Sequence, residues 1–252
     1  MDILNLFSLK QKRALVTGGN SGIGFAIAEA LSAAGAQVVI VGRNSSKVTR
    51  SVTAIQQTGG TCEGISADLA HPDFDVDTFA TKIGAIDIVV NAAGVNLREP
   101  AEAISSESWD KTLNINLKIP FFLSRAFVPH MQQQRWGRVI NIASLQTGRA
   151  FTNGLAYGAS KGGVGQLTRA MSEAWSGDGI TANAIAPGFF RTPLTQSLYD
   201  QPEIVAELAS KTTIGRNGEP SDLYGLSLFL ASPASDYVTG QVIYLDGGFT
   251  AK

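Results

Sequence analysis

Short runs of β-branched residues alternate with longer runs of helical spacing along most of the chain. The strands are predicted at residues 14–17, 37–41, 62–66, 86–91, 138–143, 181–185 and 242–245. The helices are predicted at residues 22–34, 45–57, 75–83, 106–131 with a bend at Pro120, 155–176, and after Pro220. Because the strands are almost entirely apolar and alternate with helices, they predict a parallel sheet covered by helices on both faces. The predicted fold class is therefore α/β, with a doubly wound sheet of seven strands.

The composition is typical of one globular α/β domain. The chain has 252 residues, of which 44% are hydrophobic and 16% are charged, so it has enough apolar material for one large core. We therefore expect a single-domain Rossmann fold over residues 1–252. The formal net charge of −1 gives no electrostatic reason to expect nucleic acid or an anionic membrane as a partner.

The cysteine and histidine content bears on metal binding and on the cellular compartment. Cys62 is the single cysteine, so the chain forms no intrachain disulfide, and His71 and His130 lie far apart in the sequence. We therefore expect no zinc site and no other metal site. Residues 1–13 do not resemble a signal peptide, and no apolar run is long enough to span a bilayer. These features favour a cytoplasmic protein.

A glycine-rich turn joins the first predicted strand to the first predicted helix. Residues 17–24 read TGGNSGIG, which places glycines at positions 18, 22 and 24. Such glycines allow a tight turn and a close approach of the backbone to a pyrophosphate at the helix N-terminus. Between a strand and a helix, this pattern favours a phosphate-binding loop over a turn that binds nothing. The residues expected to contact a dinucleotide here are Gly18, Asn20, Ser21, Gly22, Ile23 and Gly24.

The end of the second predicted strand bears on the choice of cofactor. Enzymes that use NAD place an acidic residue near this point to bind the ribose 2′-hydroxyl, whereas this chain has Arg43 and Asn44. An arginine there is suited to a charge-assisted pair with a 2′-phosphate, although it is also consistent with an exposed surface residue. NADP(H) is therefore the favoured cofactor, and NAD(H) is the alternative.

Two further strand ends are candidates for contact with the adenosine part of a dinucleotide. Asn91-Ala92-Ala93-Gly94 follows the fourth strand, and its small residues either let adenosine approach the backbone or form a plain turn. Asp68 follows the third strand and either caps a helix or holds the adenine amino group. The residues expected to bind cofactor in these segments are Asp68, Leu69, Asn91, Ala92 and Gly94.

The candidate acid/base chemistry lies near the start of the helix predicted at 155–176. Tyr157 and Lys161 are four residues apart and so share a helix face, which places an ammonium beside a phenol. A nearby cation lowers the pKa of a tyrosine from its usual value of about 10, which favours a role as general acid/base. Ser144, at the end of the fifth strand, is placed to hydrogen-bond a carbonyl oxygen at the same point. The residues alone leave open a second interpretation, in which Tyr157 and Lys161 are ordinary surface residues of a helix.

Over essentially its whole length, the chain resembles the short-chain dehydrogenases/reductases. Besides the glycine-rich turn and Asn91-Ala92-Ala93-Gly94, the matching pieces are Asn116 within LNINL, Ser144, Tyr157 with Lys161, Pro187-Gly188 with Thr192, and Asp246-Gly247-Gly248. They occur in the order and at the spacing of that family, so together they are specific although each alone is weak. This chain has Ala92 where the family often has a second asparagine.

The resemblance implies a role for each matching residue. Tyr157 is expected to be the general acid/base, and Lys161 to lower its pKa and bind the nicotinamide ribose. Ser144 is expected to orient the substrate oxygen, and Asn116 to support a water that links Lys161 to solvent. The residues expected to anchor the nicotinamide, in addition to Tyr157 and Lys161, are Pro187, Gly188, Phe190 and Thr192.

Details of the sequence resemble the sugar-acid branch of the family, which includes gluconate 5-dehydrogenases and 2-deoxygluconate 3-dehydrogenases. That branch often has two adjacent arginines where this chain has Leu97-Arg98, and one arginine still suffices to clamp a carboxylate. Arg98, Ser144, Gln146 and Tyr157 are the expected substrate-binding residues, although a solvent-exposed Arg98 is an equal alternative. Residues 192–219 resemble the mobile flap that covers the substrate, and the other interpretation is a surface helical hairpin.

The expected function is NADP-dependent hydride transfer between a nicotinamide and a small carbonyl or alcohol, in particular a sugar acid, a ketose or a polyol. One alternative is a reductase of 3-oxoacyl thioesters on an acyl carrier protein. Another is a catalytically silent nucleotide-sensing scaffold, which is disfavoured because the catalytic residues are all present. The resemblance also implies a homotetramer or homodimer, paired through the two long helices after the fourth and fifth strands and through the last strand.

Overall fold

The computed structural model describes residues 3–252, so the first two residues of the predicted domain lie outside the described residues. Its sheet has seven strands, all parallel, in the order β3-β2-β1-β4-β5-β6-β7. The strands are β1 (Arg13–Thr17), β2 (Gln37–Gly42), β3 (Thr61–Ser66), β4 (Ile88–Asn91), β5 (Gly137–Ile142), β6 (Ile180–Pro187) and β7 (Val242–Leu245). The predicted α/β class and the doubly wound, seven-stranded Rossmann fold are confirmed.

The helices follow the strands in the predicted alternation. They are α1 (Gly22–Ala33), α2 (Ser45–Gln57), α3 (Val76–Ile83), α4 (Ser106–Leu113), α5 (Ile119–Gln134), α6 (Leu155–Trp175), α7 (Gln196–Tyr199), α8 (Pro202–Ser210) and α9 (Asp222–Ala231). Helices α7 and α8 lie within residues 192–219, which we call the flap.

Each face of the sheet has its own hydrophobic cluster, because successive residues of a strand point to opposite faces. In β1, Ala14 and Val16 belong to the cluster that α1, α2 and α9 cover, whereas Leu15 belongs to the cluster under α3, α5 and α6. Both layers are therefore closed by helices, which explains why the strands are apolar along their whole length.

The helix predicted over residues 106–131 is interrupted. A π-helical turn, Asn114–Lys118, separates α4 from α5 and begins before the bend that was predicted at Pro120. Pro120 itself stands in the first turn of α5, directly after the π-helical turn, and has no N–H to donate to that turn. Turns of this kind inside α-helices are frequent at functional sites, and Asn116 lies on this one.

The strand order places a crevice beside the sheet. Strands β1 and β4 are neighbours in the sheet although β2 and β3 intervene in the sequence, so the chain reverses its direction of winding between them. In open α/β sheets, ligands bind beyond the carboxyl ends of the strands at such a switch point. Nearly all the predicted site residues follow these carboxyl ends.

Candidate active site

A cavity of about 910 Å³ opens above the carboxyl ends of the strands. It is lined by the segments after β1, β2, β3, β4, β5 and β6, by the flap, and by Phe249 near the end of the chain. Of the predicted site residues, all but Asn91 and Asn116 line this cavity. The fold therefore brings together residues that are spread over most of the sequence.

The glycine-rich turn forms one end of the cavity, and its glycines cannot be replaced without a clash. Gly18 has a φ of +67°, and a Cβ there would lie 2.9 Å from the Ala93 amide nitrogen. A Cβ on Gly24 would lie 2.5 Å from the Gly18 carbonyl oxygen, and one on Gly22 would lie 3.0 Å from Thr192. Ser21, the N-cap of α1, makes no side-chain capping bond, so the first N–H groups of α1 keep their capacity to bind an anion.

Basic residues line the cavity beyond β2. Arg43 and Asn44 are both exposed and both line the cavity, as predicted. The Asn44 side chain also caps α2 by accepting a hydrogen bond of 2.9 Å from the Lys47 amide. Lys47 lines the cavity too and was not identified from the sequence, because its approach to Arg43 depends on the first turn of α2. Two cations therefore lie at the place where a 2′-phosphate was expected.

The segments after β3 and β4 also contribute residues to the cavity. Asp68 and the buried Leu69 both line the cavity, and the Asp68 carboxylate accepts a hydrogen bond of 3.0 Å from the Ala70 amide. Asp68 thus stabilises a local turn and does not cap a helix, because the next helix, α3, has Asp75 as its N-cap. Ala92 and Gly94 also line the cavity beyond β4.

Asn91, which was predicted to bind cofactor, does not line the cavity. Its amide nitrogen donates to Asn141 Oδ1 and to Ser124 Oγ, both at 2.9 Å, and the residue is only 4% exposed. Asn91 therefore links β4 to β5 and to α5 beneath the cavity. The reason is the alternation along a strand, which turns this side chain toward the layer of α5.

Tyr157 and Ser144 meet in the middle of the cavity. The side chains of the two residues lie close enough to interact, and the positive charge of Arg98 lies nearby. The Ser144 turn is held against α6, because Thr147 Oγ1 accepts from the Ser144 amide at 3.2 Å and donates to the Lys161 carbonyl at 3.0 Å. The predicted juxtaposition of a phenol and a serine hydroxyl is therefore present.

The pKa of Tyr157 is raised in this structure, whereas the sequence led us to expect that Lys161 would lower it. Burial raises the pKa above its usual value of 10, and the interaction with Ser144 and the charge of Arg98 oppose that shift without cancelling it. Lys161 is not among the causes that lower the pKa, because its Nζ donates a hydrogen bond of 2.6 Å to the Ile142 carbonyl. That ammonium lies 5.6 Å from the centre of the Tyr157 ring.

Lys161 is a buried lysine, with 5% of its surface exposed. Burial lowers the pKa of Lys161 from 10.5 to about 8, because a charged ammonium loses hydration in the interior. A lysine with this pKa exchanges protons readily near neutral pH. It therefore has the properties of a group that passes a proton as well as a group that supplies charge.

Asn116 fixes the segment after β4. Its amide accepts a hydrogen bond from the Val95 N–H and donates one to the Val95 carbonyl, both at 2.9 Å, as a paired strand would. The same amide nitrogen lies 3.0 Å from Ser160 Oγ on α6. A Cβ on Gly94 would lie 3.0 Å from Asn116 Oδ1 and 4.0 Å from Lys161 Nζ, so Gly94 lies between the two side chains. Asn116 is 1% exposed and does not line the cavity.

Arg98 and Gln146 line the part of the cavity next to Tyr157. Arg98 has a φ of +54°, a left-handed conformation that is rare for residues other than glycine and that is common at binding sites. Gln146 Oε1 and Asn96 Oδ1 are buried without a hydrogen-bond partner among the described residues. Buried polar atoms are normally paired, so both side chains lie where a polar ligand is able to satisfy them.

The segment after β6 lines a further side of the cavity. Gly188 packs against Asp246, and a Cβ on Gly188 would lie 2.8 Å from Asp246 Cα. Phe190 is buried at 3% exposure, and Thr192 packs against Gly22 across the cavity. Pro187, Gly188, Phe190 and Thr192 all line the cavity, as predicted.

The charged residues that line the cavity are predominantly cationic, although the whole chain has a net charge of −1. The cations are Arg43, Lys47, Arg98, Lys111, Lys161 and Lys211, and Asp68 is the acidic residue among the lining residues. Low-dielectric walls that carry one sign of charge attract ligands of the opposite sign. The cavity is therefore suited to anionic ligands.

Sequence reasoning missed several lining residues. Phe151, Phe189 and Phe249 come from three separate loops, and Asn96 and Lys111 lie beside Arg98 or on α4. Phe249 lies next to the Asp246-Gly247-Gly248 motif, which was the one available signal for it. The others depend on tertiary proximity, which local sequence does not encode.

The described residues also bear on metals and membranes. Within residues 3–252, no group of three or more His, Cys, Asp or Glu residues is arranged to hold a metal ion. None of the helices in that range combines the length and apolar character that crossing a membrane requires.

Comparisons with known proteins agree with this site. The family described as "Enoyl-(Acyl carrier protein) reductase" matches residues 18–250. The chain is 37% identical to gluconate 5-dehydrogenase of Gluconobacter oxydans (strain 621H), over 98% of each chain. It is 40% identical to 2-dehydro-3-deoxy-D-gluconate 5-dehydrogenase of Escherichia coli (strain K12), over 99% of this chain and 100% of that one. The chain belongs to the short-chain dehydrogenase/reductase family.

Solved structures agree with this assignment. A gluconate 5-dehydrogenase from Burkholderia cenocepacia J2315, solved in complex with NADP and tartrate, has a TM-score of 0.91 and 37% identity over 99% of both chains. The present enzyme is therefore an oxidoreductase of this family that acts on CH–OH or C=O groups. The predicted family and enzyme class are confirmed.

Proposed function

We propose that this enzyme transfers hydride between NADP(H) and a sugar acid, reducing a keto group or oxidising the corresponding hydroxyl. The observation that carries the proposal is the meeting of Tyr157, Ser144 and Arg98 in one cavity lined mainly by cations. A proton donor, a donor to a carbonyl oxygen and a carboxylate partner are the three groups that such a substrate requires. The names of the relatives support the same substrate class.

The residues of the cavity fit a nicotinamide dinucleotide phosphate. The glycine-rich turn packs so closely on the segment after β4 and on its own backbone that a Cβ on Gly18 or Gly24 would clash, and α1 presents free N–H groups to a pyrophosphate. Arg43 and Lys47 would hold the 2′-phosphate, and NADP is the dinucleotide bound in the Burkholderia relative. When bound, the cofactor supplies or accepts the hydride at the reacting carbon.

The protein's own part in the reduction is to position the carbonyl and to deliver a proton. Ser144 Oγ donates a hydrogen bond to the substrate oxygen, and Tyr157 Oη gives that oxygen a proton as the carbonyl becomes an alcohol. The Lys161 ammonium lies 5.6 Å from the centre of the Tyr157 ring, and its Nζ donates a hydrogen bond to the Ile142 carbonyl. Because burial lowers its pKa to about 8, Lys161 is suited to return the proton to Tyr157. In the oxidation direction, Tyr157 accepts the proton instead.

Asn116 and the residues around Arg98 complete the site. Asn116 holds the segment at Val95 against α6, which fixes the position of Lys161 relative to Gly94. Arg98 binds the substrate carboxylate, and Asn96 and Gln146 offer amide groups to its hydroxyls. The tartrate bound to the Burkholderia relative is a hydroxy acid, which supports this assignment of chemistry.

Two other functions have less support. A 3-oxoacyl (acyl-carrier-protein) reductase from Agrobacterium tumefaciens C58 has a TM-score of 0.92 but only 31% identity, below that of the sugar-acid relatives. A silent nucleotide-sensing scaffold has no need for Tyr157, Ser144 and Lys161 to converge. Both alternatives are tested by the same panel of substrates.

The proposal extends to the flap, to the assembly and to the compartment. Residues 192–219 act as a lid over the substrate, within one catalytic domain that spans residues 1–252. A homotetramer or homodimer is supported by Phe121 and Phe122, which are only half-buried on α5. A cytoplasmic location is consistent with the single free cysteine, Cys62.

The test follows nicotinamide absorbance while the enzyme meets NADPH or NADH with 5-keto-D-gluconate, other keto sugar acids, ketoses, simple ketones and a 3-oxoacyl thioester. We expect consumption of NADPH with the keto sugar acids. Arg43→Ala should raise the KM for NADPH by about tenfold and leave that for NADH unchanged, since a charge-assisted hydrogen bond is lost. Arg50→Ala, an exposed arginine of α2 outside the cavity, is the control. Turnover of the thioester alone, or of nothing, would contradict the proposal.

A further inference from the structure

Three phenylalanine rings line the cavity and contact one another. Phe189 and Phe249 have ring centres 5.5 Å apart, and Phe151 lies 6.2 Å from each of them. We call Phe151, Phe189 and Phe249 the aromatic wall. They come from the loops after β5 and β6 and from the end of the chain, so three separate segments converge to build it.

The aromatic wall is packed apart from the sheet, and its member Phe249 is itself buried, at 8% exposure. None of its members belongs to the hydrophobic clusters that pack on the sheet among the described residues. Phe151 and Phe189 are only half-buried, and both line the cavity. Apolar side chains that serve packing alone are normally covered by the core, so this surface has another use.

The flap faces the cavity with apolar side chains of its own. Helices α7 and α8 bury no residue, yet Leu198, Ile204 and Leu208 line the same cavity. The flap is joined to the wall at the Phe189 carbonyl, which accepts a hydrogen bond of 3.1 Å from the Tyr199 hydroxyl and one of 2.9 Å from the Gly218 amide. Two apolar surfaces therefore line one cavity, one on fixed loops and the other on the flap.

The wall also lies next to the reacting groups. Phe151 closes the turn that starts α6, because its carbonyl accepts from the Gly154 amide at 3.2 Å, and Tyr157 follows within one helical turn. Arg98 marks the polar side of the cavity near Tyr157. A substrate with its carbonyl at Tyr157 thus meets a cation and an apolar surface in the same cavity.

We propose that the aromatic wall and the flap form an apolar subsite that binds an aryl or branched alkyl substituent attached to the reacting carbonyl compound. The inference rests on the proposed function, because it uses the same Tyr157, Ser144 and hydride transfer. It adds a substrate class, namely keto acids that carry an apolar group, to the sugar acids. Burial of that group between the wall and the flap removes both apolar surfaces from water.

The test compares 2-oxo-4-phenylbutanoate with 2-oxobutanoate, which differ only by the phenyl group, as substrates with NADPH. We expect a kcat/KM at least about tenfold higher for the phenyl compound, the discrimination that one buried apolar group supplies. Equal kcat/KM values in the wild-type enzyme would overturn the inference. 5-Keto-D-gluconate is run beside them, so reduction of the sugar acid without a phenyl preference sinks the inference alone, whereas no turnover of any substrate sinks the proposed function as well.

Variants locate the preference in the wall. Phe151→Ala should lower the phenyl preference, taken as the ratio of the two kcat/KM values, by about three- to tenfold, the contribution of an aromatic contact. Phe74→Ala is the matched control, since Phe74 is half-buried, pairs with Phe79 at 5.1 Å and does not line the cavity. Ile204→Ala, on a helix that buries no residue, should lower the preference without a folding defect. An unchanged preference in both Phe151→Ala and Ile204→Ala would place the subsite elsewhere and contradict the proposal.

Discussion

The floor of the cavity and the flap differ in how much of each residue the protein covers. Asn116, Ser160 and Lys161, which we call the floor, are 1%, 0% and 5% exposed. Asn116 donates a hydrogen bond to Ser160 Oγ, and Lys161 Nζ donates one to the Ile142 carbonyl beneath the cavity. In the flap, α7 and α8 bury no residue. Regions with few buried contacts open at low free-energy cost, whereas a buried polar network is rigid. We infer from this difference that the rigid floor fixes the reacting groups, whereas the flap and lining residues such as Arg98 select the substrate.

The largest effect is expected when Tyr157, the proton donor next to the floor, is replaced. Tyr157→Phe deletes the proton donor while keeping the ring, so kcat should fall by about a thousandfold for every substrate. The affinity for NADPH, measured by the fluorescence of the bound nicotinamide, should change little. Tyr237→Phe, at a fully exposed position, is the control. Substantial turnover by Tyr157→Phe would remove Tyr157 from the chemistry.

The next effect concerns the glycine-rich turn. Gly18→Ala places a Cβ 2.9 Å from the Ala93 amide at a φ of +67°, and the resulting backbone shift should weaken NADPH binding on the order of 100-fold. Gly59→Ala imposes a similar strain at a φ of +85°, but no atom lies within 4 Å of its Cβ. We expect Gly59→Ala to lower the melting temperature slightly and to leave the Kd for NADPH unchanged. Equal loss of NADPH affinity in both variants would show that backbone strain alone explains the result.

Lys161 should make the free energy of unfolding depend on pH. Burial lowers its pKa from 10.5 to about 8, so between these values the unfolded chain binds more protons at this residue than the folded chain does. The free energy of unfolding should therefore rise with pH in that window, and the full cost of burying the ammonium is present below about pH 8. Between pH 8 and pH 10, the wild type should gain roughly 2 to 3 kcal/mol relative to Lys161→Met in denaturant titrations.

The control for this measurement is Lys118→Met, which removes an exposed lysine. Its free energy of unfolding should differ from that of the wild type by an amount that does not change across the same pH range. A difference between wild type and Lys161→Met that stays constant with pH would contradict the buried, cationic state assigned to Lys161.

Replacement of Arg98 should affect only substrates that carry a carboxylate. Arg98→Ala should raise the KM for 5-keto-D-gluconate about 10- to 30-fold, because a charge-assisted hydrogen bond to the carboxylate is lost. The methyl ester of the same acid lacks that charge and serves as the matched substrate. Equal changes in KM for the acid and the ester would show that Arg98 acts through the shape of the loop.

The smallest effect is expected in the flap. Leu208→Ala should lower the free energy of unfolding by less than about 1 kcal/mol, because α8 buries no residue. Leu123→Ala, the same exchange at a position with 0% exposure on α5, should cost about 2 to 5 kcal/mol. Denaturant titrations that give similar costs for the two variants would remove the distinction between a packed layer and a loosely packed flap.

The sequence predicted the sheet well because most of its parallel strands are buried and predominantly apolar. It also predicted most lining residues, since the glycines, Tyr157 and Ser144 follow strand ends that a doubly wound sheet gathers at one edge. The π-helical turn at Asn114–Lys118 was missed, because the surrounding residues have ordinary helical spacing. No pattern of local spacing distinguishes such a turn from a continuous helix.

Other misses have a common physical cause. Asn91 was assigned to cofactor, but its side chain bonds Asn141 and Ser124, and such pairings across layers are set by tertiary structure. The raised pKa of Tyr157 reflects burial, which the spacing to Lys161 does not report. The aromatic wall joins residues 151, 189 and 249, which no local motif connects.

The most direct test of the division between floor and flap compares two substrates in two variants. The kcat/KM values of 5-keto-D-gluconate and 2-oxo-4-phenylbutanoate are measured for the wild type, for Ser144→Ala at the reacting groups, and for Ile204→Ala in the flap. The account predicts that Ser144→Ala lowers both values by a similar factor, whereas Ile204→Ala lowers only the value for the phenyl compound. A change of substrate ratio in Ser144→Ala, or an equal loss for both substrates in Ile204→Ala, would contradict it.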